Sequence, residues 1–399
     1  MTSSPLPRIL RKGDEPKYPT FLELFFDLVY IFIFSRIAGA LAADPTPTTG
    51  AQMAVVLLAV WWVWVLTAWL TDLFNPQLPI IQATVLLVMF GTLVMAVTTP
   101  RAFGEQGWIF VVGYFGIHIV RDAVLIPGTR VNRAIQARSI RVFFWFGVTG
   151  PLWVAGVLVD GSARLVLWAV AVALDLGSAR IGWPTPRLGR TELASQIFTG
   201  THLAERHREI CIIALGELIL TIGIQLSASD YEAGRVVACA VAFASAVLLF
   251  QMYFHRVRQL LAPHNVALVE RVRSGTSTSY THLVMVAGVV VMSAGNILVI
   301  GRPFGEAPTN WIVMILGGPA LFLLGGCLFD FVVTGGILWS RAIAIVVLGA
   351  IGPAMPLLSP LAITIVANLV LLLTLLVETA ARRISPVPAA SGSAGGPGS

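Results

Sequence analysis

The sequence predicts an all-α, polytopic integral membrane protein with about twelve transmembrane helices. Three observations predict it. First, hydrophobic residues make up 57% of the chain and charged residues 12%, against about 45–50% and about 25% in a soluble domain. The mean hydropathy is +0.85. Such a chain cannot cover a water-facing surface, which excludes a soluble enzyme or binding module, and it is too rich in Leu, Val, Ile and Phe for disorder. Second, apolar runs of about 20 residues, the length of one helical crossing, follow one another along most of the 399 residues. Third, the basic residues favour alternate gaps between those runs. No strand periodicity is visible. Runs this long cross lipid as helices, because a helix satisfies its own backbone groups there.

The spans are expected at 21–43, 52–73, 79–98, 107–126, 142–159, 163–181, 203–227, 233–254, 278–300, 309–334, 342–358 and 361–381. Breaker-rich segments separate several of them: DPTPTTG at 44–50, NPQLP at 75–79, IPGTR at 126–130, WPTPRLG at 183–189 and GRPFGEAP at 301–308. The chain therefore divides into an N-terminal segment 1–20, a first six-helix half 21–181, a connecting loop 182–202, a second half 203–381 and a tail 382–399. The tail is mostly Pro, Ala, Gly and Ser, cannot bury a core, and is expected to be disordered. No cleavable signal peptide is expected ahead of span 1.

The net charge of +6 is not a nucleic-acid signal. Of the 26 basic residues all but two are Arg, scattered between apolar runs with no basic face. Nineteen fall on the N-terminus, the even-numbered loops and the tail, four on the odd-numbered loops (Arg101, Arg164, Arg235, Arg302) and three within spans (Arg36, Arg206, Arg208). That asymmetry predicts both termini in the cytoplasm and an even number of spans. Cys211, Cys239 and Cys327 lie inside apolar segments without metal spacing and are expected as small buried hydrophobes.

Ionisable residues inside spans are the informative ones. A charge at the bilayer centre costs about 2.5–3.5 kcal/mol on insertion scales, so such residues mark sites or pairs. Span 1 carries Glu23 and Asp27 four residues apart, on one helical face, with Arg36 further along. Span 7 opens with His202, Glu205, Arg206 and Glu209 and carries Glu217 deeper. Both spans run outward, so Glu23 and Glu205 share a depth, as do Arg36 and Glu217. The expectation is an ion-binding or proton-coupling cluster of Glu23, Asp27, His202, Glu205, Arg206 and Glu209, with Arg36–Glu217 pairing nearer the outer side. The bland alternative is a set of ion pairs that only fixes helix register. His118, Asp175, His282 and Asp330 lie in the same cytoplasmic half and are candidates to line an inward-facing aqueous cavity; for the two histidines a satisfied core position is the alternative.

ELFFDLVYIF at 23–32, HLAERH at 202–207 and IIALGE at 212–217, in this order, resemble the bacterial low temperature requirement A (LtrA) family. WWVWVLTAWL in span 2, QMYFHR ending span 8 and YTHLVMVAG opening span 9 extend the resemblance over all twelve spans. It implies a polytopic inner-membrane protein and supplies no reaction.

Spans 1 and 7 both carry early acids and a later charge, and spans 3 and 9 share a Val-Met-small pattern. A parallel 6+6 pseudo-repeat is therefore a candidate architecture, a plan used by transporters with a site between the halves. No phosphate loop, dinucleotide fingerprint or nucleophile elbow appears. His202 and His207, five apart, point about 140° from one another on a helix and cannot chelate one metal. No cofactor or metal is expected. The tryptophans of span 2 are expected as packing rather than a ligand cage. The expected function is a secondary transporter or permease for a small solute, ion or lipid. The alternatives are a membrane-embedded lipid-modifying enzyme, or a structural or sensory protein braced by its buried charges. The bilayer is the expected partner, nucleic acid is not, and a homodimer is open.

Overall fold

The computed structural model describes residues 19–130, 132–191, 200–260 and 275–384. Most of the expected N-terminal segment, residues 192–199 of the connecting loop and the tail from 385 lie outside the described residues, as do Arg271 and Arg273. Among the described residues the fold is all helical, with twelve helices long and apolar enough to cross a membrane. They are α1 (Phe21–Ala43), α2 (Pro47–Leu73), α3 (Pro79–Thr98), α4 (Gly107–Gly128), α5 (Arg133–Val157), α6 (Ser162–Arg180), α7 (Gly200–Ser227), α8 (Ala233–Leu260), α9 (Gly275–Gly301), α10 (Thr309–Thr334), α11 (Trp339–Ile351) and α12 (Pro360–Ile384).

Local chemistry explains the helix ends. Thr20 and Glu23 form a capping box at the start of α1: the Thr20 amide and hydroxyl donate to Glu23 Oε2 at 2.7 and 2.9 Å. Thr46 caps α2, accepting from the Thr49 amide, with Pro47 at the first helical position. α10 stops at Gly335, whose φ of 77° suits glycine.

Two helices differ most from the sequence reading. α5 begins nine residues before its apolar run, because Asn132 caps it through the amides of Ala134 and Ile135. Its first three turns carry Arg133, Arg138 and Arg141, polar residues that an apolar-run criterion reads as loop. α11 is short and continues as a 3-10 segment, Gly352–Leu357, where Pro353 and Pro356 each remove an amide donor.

Large apolar side chains such as Phe90, Leu373, Val313 and Val346 stand exposed on the outside of the bundle. In water a surface of that extent would aggregate; here it is the lipid-facing surface. Buried partners are close-packed. Gly318 on α10 lies so near α9 that a Cβ would come within 2.7 Å of the Met292 amide nitrogen, the small-residue contact that lets membrane helices approach.

Neighbours recur at an offset of six helices. α1 packs on α2 and α3, α2 on α3, α4 and α6, and α3–α4, α4–α5 and α5–α6 are paired. α7 packs on α8 and α9, α8 on α9, α10 and α12, and α9–α10, α10–α11 and α11–α12 are paired. The halves meet mainly where α1 packs against both α7 and α9. The second half adds contacts of α12 with α9 and α10 that the first half lacks among its principal pairs.

Candidate functional site

The odd-numbered helices begin, and the even-numbered ones finish, at one end of the bundle. Most buried ionisable residues lie there: Glu23 and Asp27 on α1, Asp72 on α2, Arg121 and Asp122 on α4, Asp175 on α6, His202, Arg206 and His207 on α7, His282 on α9, Asp330 on α10, Arg341 on α11 and Glu378 on α12. The central cluster joins α1, α2 and α7.

Asp27 and Arg206 form a two-pronged pair. Arg206 Nη1 donates to Asp27 Oδ2 and Nη2 to Oδ1, both at 2.7 Å, and both side chains are fully buried. The Trp64 indole N–H donates to Asp27 Oδ1 at 3.0 Å. The Arg206 guanidinium carbon lies 5.8 Å from the centre of the Trp64 ring, and Arg206 Nη1 also reaches Glu209 Oε2 at 2.8 Å. The guanidinium is thereby matched to a planar carboxylate on one edge, the geometry that favours Arg over Lys.

Glu23 stands in a different arrangement. Its Oε2 closes the capping box, while Oε1 lies 2.9 Å from His202 Nε2. The other imidazole nitrogen, Nδ1, lies 3.2 Å from Asp72 Oδ1. His202 therefore bridges two carboxyl groups, with all three side chains almost wholly buried. A neutral imidazole has one N–H and one lone pair. Facing an oxygen on each side, it would turn its lone pair on a carboxylate. The bridge is satisfied only with one further proton, on the ring or on a carboxyl. Arg206 Nε is 4.0 Å from Glu23 Oε1, which links the two arrangements.

A second polar network lies beside the first. His207 Nδ1 donates to the Leu203 carbonyl at 2.7 Å, and its Nε2 lies 2.9 Å from Ser279 Oγ. His282 Nε2 lies 2.9 Å from the Tyr253 hydroxyl, and its Nδ1 2.8 Å from the Thr278 carbonyl. The two imidazole rings are 4.8 Å apart, and the Trp64 ring meets His207 edge-on at 5.2 Å. Trp64 thus touches both networks.

The other sequence candidates go elsewhere. Glu205 is half-buried and pairs with Arg208 on its own helix instead of joining the cluster. The expected Arg36–Glu217 pair does not form. Arg36 is exposed, its guanidinium 6.0 Å from the centre of the Phe32 ring, whereas Glu217 is buried and accepts from Thr221 and Ser293 at 2.6 and 2.9 Å. Helix phase is the reason: nine residues separate Asp27 from Arg36, which puts them about 180° apart, while the eleven from Arg206 to Glu217 bring those two within about 20°.

Asp175 accepts from the Tyr114 and Thr149 hydroxyls at 2.9 and 2.8 Å. Together with His118 it lines a cavity of about 10 Å³, room for one water. Asp330 pairs with Arg256 at 2.6 Å. Rather than lining one aqueous cavity, Asp175, His282 and Asp330 make separate polar contacts, and His118 packs against the Tyr114 and Phe146 rings with neither ring nitrogen hydrogen-bonded. A groove of about 710 Å³ between α1, α2, α9 and α10 is apolar, lined by Met53, Leu57, Val290 and Met314 among others, and holds none of these groups.

Asp72 and the Arg341–Glu378 pair at 2.9 Å have no place in the sequence reading, which expects Trp64 only as packing. Asp72 had a signal: it is the one carboxylate of α2, and it lies in the last turn, at the depth where α1 and α7 begin. Among the described residues no group of three or more His, Cys, Asp or Glu could hold a metal ion.

The model of the bacterial low temperature requirement A protein (LtrA) family matches residues 19–376. An uncharacterized protein of Rhizobium meliloti (strain 1021), RA0937, is 29% identical over 368 residues, covering 91% of this chain and 89% of that protein. No solved structure matches. The match takes in α1 through most of α12, including every residue of the cluster: this chain belongs to the LtrA family of bacterial membrane proteins.

Proposed function

We propose that the protein is a proton-coupled secondary transporter of the bacterial inner membrane, with its polar end and both termini in the cytoplasm. The excess of Arg on the N-terminus and even-numbered loops supports that orientation. The observation that carries the transport reading is His202 held between Glu23 and Asp72. Three groups that can pass one proton among themselves, inside a membrane and on the α1–α2–α7 junction, are suited to couple proton binding to a shift between helices. In this reading Glu23, His202 and Asp72 carry the proton. Asp27 and Arg206 hold the junction in register, and Glu209, half-buried beside Arg206, faces the cytoplasmic entry. A small solute would bind between the two six-helix halves, where α1 meets α7 and α9.

A second reading is favoured by the Asp27–Arg206 pair itself: complete burial and two-pronged bonding are what a static brace requires. One assay separates the two. Purified protein in liposomes with entrapped pyranine is offered panels of amino acids, sugars and organic ions under an imposed pH gradient. Coupled transport predicts solute-evoked proton movement, lost in Glu23→Gln and His202→Gln and kept in Glu205→Gln. A brace predicts no evoked movement in any form, with the first two variants merely less stable.

A further inference from the structure

Arg206 and Glu217 share one face of α7, eleven residues or roughly 16 Å apart along the axis. On α9, packed against that face, His282 and Ser293 repeat the same spacing. The α1–α7–α9 junction therefore has two polar levels. The first is the charged layer at the polar end; the second is Glu217, Thr221 and Ser293. Between them the junction is apolar, with Ile33, Phe34, Ile210, Ala214, Val286 and Val289 all buried.

The second level has an incomplete hydrogen-bond inventory. Glu217 is 0% exposed. Both hydroxyls, Thr221 Oγ1 and Ser293 Oγ, donate to one oxygen, Oε1. The other, Oε2, is buried without a hydrogen-bond partner, and among the described residues no Lys, Arg or His stands within ion-pair distance of it. The ionisable groups of the packed helices lie elsewhere. Arg36 of α1 is exposed on the far face; Asp72 of α2, Tyr253, His255 and Arg256 of α8 and His282 of α9 are at the polar end; and Arg235 of α8, at the opposite end, pairs with Glu232. An ionised carboxylate in that setting would have two hydroxyl donors on Oε1 but no counter-ion and an unsolvated Oε2 in an apolar interior, which is costly. A carboxylic acid fits what is there: Oε1 as the carbonyl accepting two bonds, Oε2 as the hydroxyl. Its remaining cost is one unpaired O–H, far below that of an unpaired charge.

We infer that Glu217 is a second proton-binding site of this protein, a single carboxyl at mid-span on the α7–α9 interface that takes up and releases a proton independently of the layer around His202. Its ligand is the proton alone: the carboxyl is 0% exposed and its two neighbouring hydroxyls donate to it, which is not the oxygen shell a cation needs. The site needs no part of the transport reading above.

Infrared spectroscopy of the reconstituted protein at neutral pH tests it. The difference between wild type and Glu217→Gln should contain a protonated-carboxyl C=O stretch, present unchanged in Glu23→Gln and His202→Gln. Transfer to D2O should shift that band, since an exchanging site replaces its proton. Ser293→Ala, which removes one bond to Oε1 and keeps the carboxyl, should move the band to higher frequency, and serves if Glu217→Gln does not fold. Absence of an acid band in the difference means Glu217 is ionised and overturns the inference. So does a band that stays fixed in D2O, which marks a sealed structural proton, or one indifferent to Ser293→Ala. A pyranine assay that shows no evoked flux leaves these bands as they are, so the two readings fail separately.

Discussion

Glu23 and Asp27 are four residues apart on one helix and equally buried, yet they are held in opposite ways. Asp27 meets a guanidinium edge to edge, with a Trp64 N–H completing its oxygens; every donor is a group that stays protonated, so nothing in the arrangement changes with proton supply. Glu23 meets His202, whose far side faces Asp72; that arrangement has one proton too few unless solvent or a neighbour supplies it. The difference teaches that burial alone does not distinguish a brace from a relay. The donor inventory does: fixed cations and indoles suit a brace, and an imidazole between two carboxyls is the arrangement the proposed relay requires.

The comparison is broken most severely at the brace. Asp27→Asn removes the charge that Arg206 is matched to and leaves a buried guanidinium with only Glu209 and a distant Glu23. Stranding one member of a buried pair costs about 3–5 kcal/mol, so thermal unfolding in detergent should occur at markedly lower temperature and yield should fall. Asp27→Asn combined with Arg206→Gln removes both charges and should recover a substantial part of that loss. A double variant no better than the single one would mean that the pair is not the source of the effect.

Trp64→Phe sharpens it next. The ring and its contact with His207 are retained while the N–H to Asp27 is lost. A bond to a charged group is worth about 1.5–3 kcal/mol, and the expected result is a drop in unfolding temperature smaller than that of Asp27→Asn, with any proton-coupled flux retained. Loss of flux at unchanged stability would place Trp64 in the relay instead.

The relay gives the converse pattern. In Asp72→Asn a neutral imidazole suffices: His202 donates from Nε2 to Glu23 and accepts at Nδ1 from the new amide. Stability should fall less than in Asp27→Asn, since His202 keeps a partner on each side. The pH dependence of flux should flatten, because the extra proton is no longer needed. Unfolding measured beside a pH series of flux checks both halves of that statement.

Much of the fold was legible because lipid imposes it. Twelve apolar runs matched twelve helices, with α5 the main discrepancy: its first turns are polar and its start is set by the Asn132 cap, which an apolar-run criterion does not see. The site was legible in depth more than in azimuth. Matching depth correctly associated the openings of α1 and α7, and the same criterion wrongly joined Arg36 to Glu217. The helical phase that separates them is present in the numbering, nine residues against eleven. Asp72 gives a weak signal, because it is one carboxylate at the end of a tryptophan-rich run and has no acidic neighbour on its own helix. The His207–Ser279 and His282–Tyr253 contacts depend on how α7, α8 and α9 rotate against one another, which side-chain packing decides and no single helix encodes.

Glu205 is the last and smallest test, and the control for the rest. It is an acid in the same first turns as His202 and Arg206, one residue from the guanidinium that anchors the junction. If acidity at that depth were what mattered, neutralising it would resemble neutralising Glu23. But one residue turns a helix by about 100°, and that turn carries Glu205 off the α1-facing stripe to a half-buried position against Arg208. Pairs of that kind contribute at most about 1 kcal/mol. Glu205→Gln should therefore shift the unfolding temperature only slightly and leave flux and its pH profile unchanged. An effect as large as that of Glu23→Gln would show that depth, not the hydrogen-bonded bridge through His202, governs which acids are functional, and would remove the basis for treating Glu23 and Asp27 as different kinds of carboxyl.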